Sequence, residues 1–134
     1  MIVNASCVNK HQDQINKQIE TISPGLGEYM AMIEYHHTNL SKAIVNKNYQ
    51  RANYEIDELF EVFGIAEKVH NNHEKLKQPL NKVLPSYAYE PLNLLRKHLK
   101  QNDTLAIEQQ FKNVTISCNA CHSVNEMSFI VIEN

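Results

Sequence analysis

The sequence predicts an all-α protein, an antiparallel four-helix bundle with a short extended C-terminal tail. Apolar residues recur at the spacing of three and four that is typical of a helix with one buried face, in four separate segments. Glycine and proline are sparse, with 3 and 4 copies in 134 residues. A chain of this length supports one hydrophobic core, so we expect one bundle and not two domains.

The first two bundle helices have the clearest patterns. The first begins after Pro24-Gly25, and its apolar stripe consists of Leu26, Met30, Ile33, His37, Leu40 and Ile44. The second covers Tyr49 to His70, and its acidic side chains lie mostly on the other faces of the helix. Both patterns predict amphipathic helices that bury one side against their neighbours.

The pattern weakens after the second helix, where three prolines occur: Pro79, Pro85 and Pro91. Proline removes a helical hydrogen-bond donor and restricts the residue before it, so we expect short helical turns or a loop from His70 to Pro91. The third helix is then expected to begin at Ser86 or Pro91 and to end near Gln101.

The fourth helix is expected to follow almost at once, with an N-cap at Asn102 or Asp103. Its stripe consists of Ile107, Phe111, Val114, Cys118 and Cys121. The apolar run from Met127 to Ile132 is expected to form an extended tail packed against the bundle. Residues 8 to 22 carry a further helical stripe. The chain therefore divides into an N-terminal helical extension, 1–23, and a bundle with its tail, 24–134.

The string Cys118-Asn119-Ala120-Cys121-His122 closes the fourth helix and is the most informative motif. C-x-x-C-H is typical of c-type haem attachment, because positions i, i+3 and i+4 share one helix face. Two thiols there can bond the haem vinyl groups while the imidazole reaches the iron. A thioredoxin-like pair would need a preceding strand, and structural zinc would need four ligands although only Cys7 remains. Two inert core cysteines are the other alternative.

The predicted bundle and this motif together resemble the cytochrome c-prime class, including its low-spin, methionine-ligated relatives. The similarity covers Pro24 to Ser123, and its specific elements are Gly25-Leu26-Gly27-Glu28-Tyr29-Met30 and the C-x-x-C-H string. The resemblance implies one covalent haem c and either electron transfer with redox partner proteins or binding of small gases such as NO and CO. It leaves open whether two copies form the homodimer common among these relatives. The tail from Phe129 to Ile132 is an addition to that pattern.

His122 is the expected proximal iron ligand, and helix geometry favours Met30 as the distal one. In an up-down-up-down bundle, the end of the fourth helix lies beside the start of the first. His122 lies about 26 Å from the start of its helix, and Met30 lies about 24 Å from the end of the first helix, so the two residues are expected at the same level of the bundle. His37 lies only about 14 Å from that end, one to two turns away from this level. His37 is therefore the second candidate, and otherwise a core histidine. A non-ligating distal residue would leave the iron open to gases.

Other residues near the level of the iron are expected to line the haem pocket because of their heptad positions: Leu26, Tyr29, Ile33 and Val114. The sequence contains no recognisable acid-base pair or activated nucleophile. We therefore expect an electron carrier or gas-binding protein and not an enzyme.

A di-iron site is a rival interpretation. Glu34-x-x-His37 and Glu67-x-x-His70 are pairs on successive helices, as in carboxylate-bridged di-iron sites of four-helix bundles. Such a site also needs an inward glutamate from each of the other two helices, and these helices offer none at a clear stripe position. A haem-free helical interaction module is a third interpretation, but it leaves the C-x-x-C-H string unexplained.

Charge and hydropathy bear on partners and location. A formal net charge of -2, from 13 basic and 15 acidic residues, provides no basic field for nucleic acid or an anionic membrane.

No apolar run is long enough to cross a bilayer, and the first residues lack signal-peptide features. Since haem c is attached outside the bacterial cytoplasm, we expect a periplasmic protein whose export signal precedes Met1 in a longer precursor. Cys7 after Ala5-Ser6 weakly resembles a lipoprotein cysteine, which would add a membrane anchor.

Overall fold

The computed structural model describes residues 5–134, and over that range the fold is all-helical, without a β-strand. Residues 1–4 of the predicted N-terminal extension lie outside the described range. The helices are α1 (Ala5–Ile22), α2 (Leu26–Val45), α3 (Tyr49–His70), α4 (Leu80–Leu84), α5 (Glu90–Gln101) and α6 (Thr104–Val124). A π-helical turn, Pro85–Tyr89, joins α4 directly to α5.

The first two long helices, α2 and α3, lie where the sequence predicts them. The Glu28 carboxylate accepts a hydrogen bond of 2.8 Å from the Gly25 N–H at the start of α2. At the start of α3 the Asn48 side chain accepts one of 3.0 Å from the Arg51 N–H. These bonds satisfy donors that the first turn of a helix leaves free. Lys47, in the left-handed region at φ 54°, allows the short reversal between the helices.

The segment between His70 and Pro91 contains both of the expected alternatives: a loop over residues 71–79, and then two short helical elements, α4 and the π-helical turn, which continue directly into α5. The three prolines each stand where a missing N–H costs little: Pro79 is the N-cap of α4, Pro85 opens the π-helical turn, and Pro91 lies in the first turn of α5. The turn is closed by the Glu90 N–H, which donates to the Pro85 carbonyl. The prolines therefore begin helical segments and do not end them.

The hydrophobic core lies among α2, α3, α5 and α6. Helix α2 packs along α3 and α5 packs along α6, while α3 also contacts α5 and α2 contacts α6. The largest fully buried apolar side chains are Leu40, Ile56, Leu59, Leu80, Leu92, Leu95 and Ile107. Burial of a side chain of this size contributes about 1.5–3 kcal/mol, so these apolar stripes provide most of the favourable free energy. Met30 is half-buried at the edge of this core.

A buried carboxylate links α2 to α3 on the side of the protein away from the cysteines. Glu55 is fully buried, and its Oε2 accepts a hydrogen bond of 2.8 Å from Nδ1 of His36. The Arg51 guanidinium donates to the other carboxylate oxygen. A buried carboxylate needs such partners to offset the loss of water.

The periphery consists of α1 and the C-terminal residues. Helix α1 contacts α3, but much of its apolar stripe is exposed, including Val8, Ile19 and Ile22. Residues 131–134 have no regular secondary structure and follow two short turns after α6. Within residues 5–134, none of the helices combines the length and the hydropathy needed to cross a membrane.

Candidate functional site

The last turns of α6 bring Cys118, Cys121 and His122 to one cavity. Asp103 caps the helix start by accepting a hydrogen bond of 3.1 Å from the Ala106 N–H, as expected for its N-cap position. Cys118 and Cys121 are free thiols, half-buried against the core. Both thiols and the imidazole of His122 line a cavity of about 460 Å³.

The walls of this cavity are mostly apolar and come from most of the chain. Among the predicted pocket residues, Leu26 and Met30 line it from α2. Further walls, which the sequence did not indicate, are formed by Phe63, Leu76, Leu80, Leu84 and Tyr87. The tail closes another side with Met127, Ile130 and Ile132. Two thiols, the imidazoles of His73 and His122, and the thioethers of Met30 and Met127 therefore share one largely apolar space.

Three of the predicted pocket residues lie elsewhere. Ile33 and Val114 line a smaller neighbouring cavity of about 30 Å³, which also reaches Cys118. Tyr29 is buried with its ring edge-to-face against His70, with 5.7 Å between the ring centroids. The heptad stripe places all three residues in the interior, but none of them reaches the large cavity.

The side chain of His122 has a defined tautomer. Its Nδ1 lies 2.9 Å from the carbonyl oxygen of Ile130, and since a carbonyl can only accept, Nδ1 must carry the proton. The neutral ring then keeps a lone pair on Nε2. Histidines that bind metals commonly donate their other ring N–H to a carbonyl or carboxylate in this manner.

Burial suppresses ionisation of the two thiols. Burial, together with the neighbouring Cys121, raises the pKa of Cys118 to about 11. Burial also raises the pKa of Cys121, although a weak hydrogen bond from Asn125 opposes the shift. Redox-active C-x-x-C pairs instead have a thiol with a lowered pKa. The environment therefore does not favour thiol-disulfide exchange.

Two polar side chains fix the end of α6 against its neighbours. Buried Asn125 donates to the Cys121 carbonyl and accepts from the Lys77 N–H, each over 2.9 Å. Ser117 donates a hydrogen bond of 2.8 Å to the carbonyl of Tyr87. In a regular helix that carbonyl would accept from residue 91, but proline there has no N–H. The thiols are therefore held in place relative to the cavity walls.

His37 is a core histidine that lines the small neighbouring cavity and not the large one. Its Nε2 lies 2.8 Å from Oγ1 of Thr115, and its ring stacks on Phe111 with 4.8 Å between centroids. Burial lowers its pKa to about 4, so the ring is neutral at physiological pH. The structure therefore gives the ring a partner on α6, and of the two predicted distal ligands only Met30 lines the large cavity.

The two Glu-x-x-His pairs are not brought together. His70 donates from Nε2 to the Pro24 carbonyl over 2.7 Å. Glu67 accepts a hydrogen bond of 3.0 Å from the hydroxyl of Tyr89, and Glu34 is exposed at the rim of the large cavity. In the part of the chain from residue 5 onwards, no group of three or more His, Cys, Asp or Glu side chains is arranged to hold a metal ion.

Comparison with protein families, characterised proteins and solved structures gives no match to this chain. Its chemistry must therefore be inferred from its own residues. Apart from the Glu34 carboxylate at the rim, the ligating groups at the cavity are sulfur atoms and the imidazoles of His73 and His122. These groups bind transition metals such as iron, whereas Mg²⁺ and Ca²⁺ prefer oxygen.

Proposed function

We propose that this protein is a monohaem c-type cytochrome, similar to the cytochrome c-prime class, that carries electrons. One observation supports the proposal most directly: both thiols of the C-x-x-C-H string, the His122 imidazole and the Met30 thioether line the same apolar cavity. These residues come from α2 and α6, which are far apart in sequence. In this proposal α2, α3, the segment from α4 to α5, and α6 form the four-helix bundle, with the haem motif at the C-terminal end of the last helix.

The residues present fit a covalent haem c. Cys118 and Cys121 are unpaired, stand three positions apart on a helix, and would hold the porphyrin edge through thioether bonds. His122, with its Nδ1 proton on the Ile130 carbonyl, would bind iron through Nε2 as the proximal ligand. The apolar walls suit a largely apolar macrocycle. Haem c, when bound, supplies a one-electron iron couple.

Met30 would be the distal ligand. Its side chain is half-buried and lines the cavity from α2, whereas the two thiols and His122 line it from α6. A thioether ligand raises the reduction potential and favours electron transfer. If Met30 does not bind iron, the same cavity would suit a five-coordinate haem that binds NO or CO.

Location and partners follow from the cofactor. Because haem c is attached outside the bacterial cytoplasm, the proposal places the protein in the periplasm, after removal of an export signal. Its partners would be redox proteins that give or take one electron, with pairing into a homodimer and a lipid anchor at Cys7 as further possibilities. A di-iron or haem-free function is less well supported, because His37 is hydrogen-bonded to Thr115 and His70 to the Pro24 carbonyl.

Expression in a bacterial host that matures c-type cytochromes tests the proposal. We expect the wild-type chain and Cys7→Ser to retain haem mass after acid-acetone extraction, and the double variant Cys118→Ser/Cys121→Ser to lose it. Cys7 is exposed and serves as the matched control. A wild-type chain without covalent haem would refute the proposal. Absorption spectra with carbon monoxide then separate the two roles: a low-spin haem indifferent to the gas indicates an electron carrier, and a high-spin haem that binds it indicates a gas-binding protein.

A further inference from the structure

The C-terminal tail, residues 127–134, turns back over the end of α6. Glu126 adopts a left-handed conformation at φ 58°. The Met127 N–H donates to the His122 carbonyl over 2.8 Å, and the Glu126 N–H donates to the Ser123 carbonyl over 3.0 Å. This pair of hydrogen bonds is the Schellman motif, which satisfies the last helical carbonyls while reversing the chain. The tail is thereby directed back along the last turns of α6.

Asn119, which stands between the two cysteines, binds both backbone polar groups of Ile132. Its Nδ2 donates to the Ile132 carbonyl over 2.9 Å, and its Oδ1 accepts from the Ile132 N–H over 2.8 Å. A side-chain amide presents a donor and an acceptor side by side, and therefore matches one residue of extended backbone.

His122 contacts the tail between its two points of attachment, the Schellman turn and Asn119. The Schellman turn holds Met127, Asn119 holds Ile132, and the carbonyl of Ile130 between them accepts from Nδ1 of His122. The side chains on either side of Ile130 add little apolar packing, because Phe129 is 80% exposed and Val131 is 61% exposed. Ile130 and Ile132 border the cavity, and the two polar anchors fix the backbone on both sides of the Ile130 carbonyl.

We propose that Asn119 is a positioning residue for His122. By holding Ile132 it keeps the carbonyl of Ile130 on Nδ1, which leaves the lone pair on Nε2 and makes the imidazole a stronger electron donor. This inference rests on the proposed function, since Nε2 gains a metal partner only when haem is bound. The competing explanation is that Asn119 only fastens the tail, and it predicts no effect on the state of the imidazole.

Asn119→Leu tests the proposal, because leucine has a similar volume but no hydrogen-bonding group. Asn113→Leu is the matched control: Asn113 is exposed on the same helix, and its side chain contacts only Gln109 and Gln110 among the described residues. In the haem-loaded chain we expect Asn119→Leu to speed amide exchange at Ile132 by on the order of tenfold. We also expect a more positive reduction potential, because a less electron-donating imidazole stabilises oxidised iron less. Asn113→Leu should change neither quantity.

A truncated chain ending at Ser128 provides a second variant. It lacks the Ile130 carbonyl and Ile132 but retains Asn119, and its potential should shift in the same direction as that of Asn119→Leu. The ¹⁵N chemical shifts of the His122 ring in the haem-free full chain provide a readout that does not need the cofactor. We expect a single Nδ1–H tautomer in the wild type and a mixture of tautomers in Asn119→Leu.

The measurements distinguish a failure of the positioning role of Asn119 from a failure of the proposed haem function. If exchange at Ile132 is unchanged in Asn119→Leu, or if exchange accelerates while both tautomer and potential keep their wild-type values, Asn119 does not position His122. If the wild-type chain binds no covalent haem, the proposed function fails. In that case the exchange and tautomer measurements on the haem-free chain still decide whether Asn119 holds the imidazole through the tail.

Discussion

His37 on α2 is hydrogen-bonded to Thr115 on α6 in the interior of the protein, with 2.8 Å between Nε2 and Oγ1. The Thr115 hydroxyl lies 3.3 Å from the Phe111 carbonyl and donates to it, so its oxygen is free to accept from the Nε2–H of His37. Both residues are buried, and the imidazole stacks on Phe111. This arrangement favours the neutral ring, since a buried imidazolium would have no nearby counter-charge among these contacts.

The buried His37 makes the protein less stable in mild acid. Burial lowers its pKa from 6.5 to about 4, so between these values the unfolded chain binds a proton that the folded chain does not. Protonation therefore stabilises the unfolded state, and the free energy of unfolding falls by up to about 3 kcal/mol as the pH decreases through this window. Denaturant unfolding at pH 7 and pH 4.5 should show a smaller decrease for His37→Gln than for the wild type. His11→Gln, at an exposed position, is the control, and equal decreases in all three chains would contradict the prediction.

The core and its helices could be predicted from the sequence because one physical requirement dominates them. A stripe of the correct period must be buried, and the stripe from Leu26 to Ile44 and the span from Tyr49 to His70 both follow this rule. The same rule placed His37 inside the protein. It could not decide between short helical turns and a loop from Leu80 to Tyr89, because a proline marks a break only when its N–H would have been needed.

The cavity was harder to predict than the helices. The C-x-x-C-H motif identified Cys118 and Cys121, and the distance of each residue along its helix identified Met30. Phe63 and Leu80 reach the same space from segments remote in sequence, and no local pattern indicates which side of a buried stripe borders a void. Tyr29 illustrates this limit, because it is buried as predicted but packs on His70.

Replacing Met30 with leucine should change the coordination of the haem but not its attachment. Leucine has a similar size and lacks sulfur, so the cavity wall persists while the distal ligand is lost. We expect Met30→Leu to retain covalent haem, to become high-spin, to bind carbon monoxide when reduced, and to have a lower reduction potential. Met32→Leu is the matched control, since Met32 is 37% exposed on the same helix. A low-spin, carbon monoxide-insensitive Met30→Leu would indicate a different distal ligand.

The thiols of the haem-free chain should differ in reactivity. Thiolate is the reactive form, and a pKa near 11 leaves Cys118 with about a hundredfold less thiolate at pH 8 than a thiol with a pKa of 9. Cys121 also has a raised pKa, whereas Cys7 is exposed. Iodoacetamide followed by peptide mass analysis should therefore label Cys7 first and Cys118 last. Chain unfolded in urea provides the control, because all three thiols should then react at similar rates. Rapid labelling of Cys118 in the native chain would argue against a closed apolar cavity.

Glu126→Gly should stabilise the protein, although it removes an ion pair. Glu126 follows α6 in the left-handed region, at φ 58°, a conformation that glycine adopts without the steric cost borne by other residues. The gain is reduced by the greater freedom of glycine in the unfolded chain, so we expect a net increase of about 0.5–1 kcal/mol in the free energy of unfolding. The lost pair with Lys77 is largely exposed on both sides and contributes little.

Glu126→Ala separates these two effects, because alanine removes the same ion pair and keeps the unfavourable left-handed conformation. Thermal or denaturant unfolding should place Glu126→Ala at or slightly below the wild type and Glu126→Gly above both. The turn also directs the tail towards His122, since the Met127 N–H binds the His122 carbonyl. A stabilised turn should therefore slow amide exchange in the tail of Glu126→Gly. If Glu126→Gly and Glu126→Ala are equally stable, the left-handed residue is not a source of strain at the end of α6.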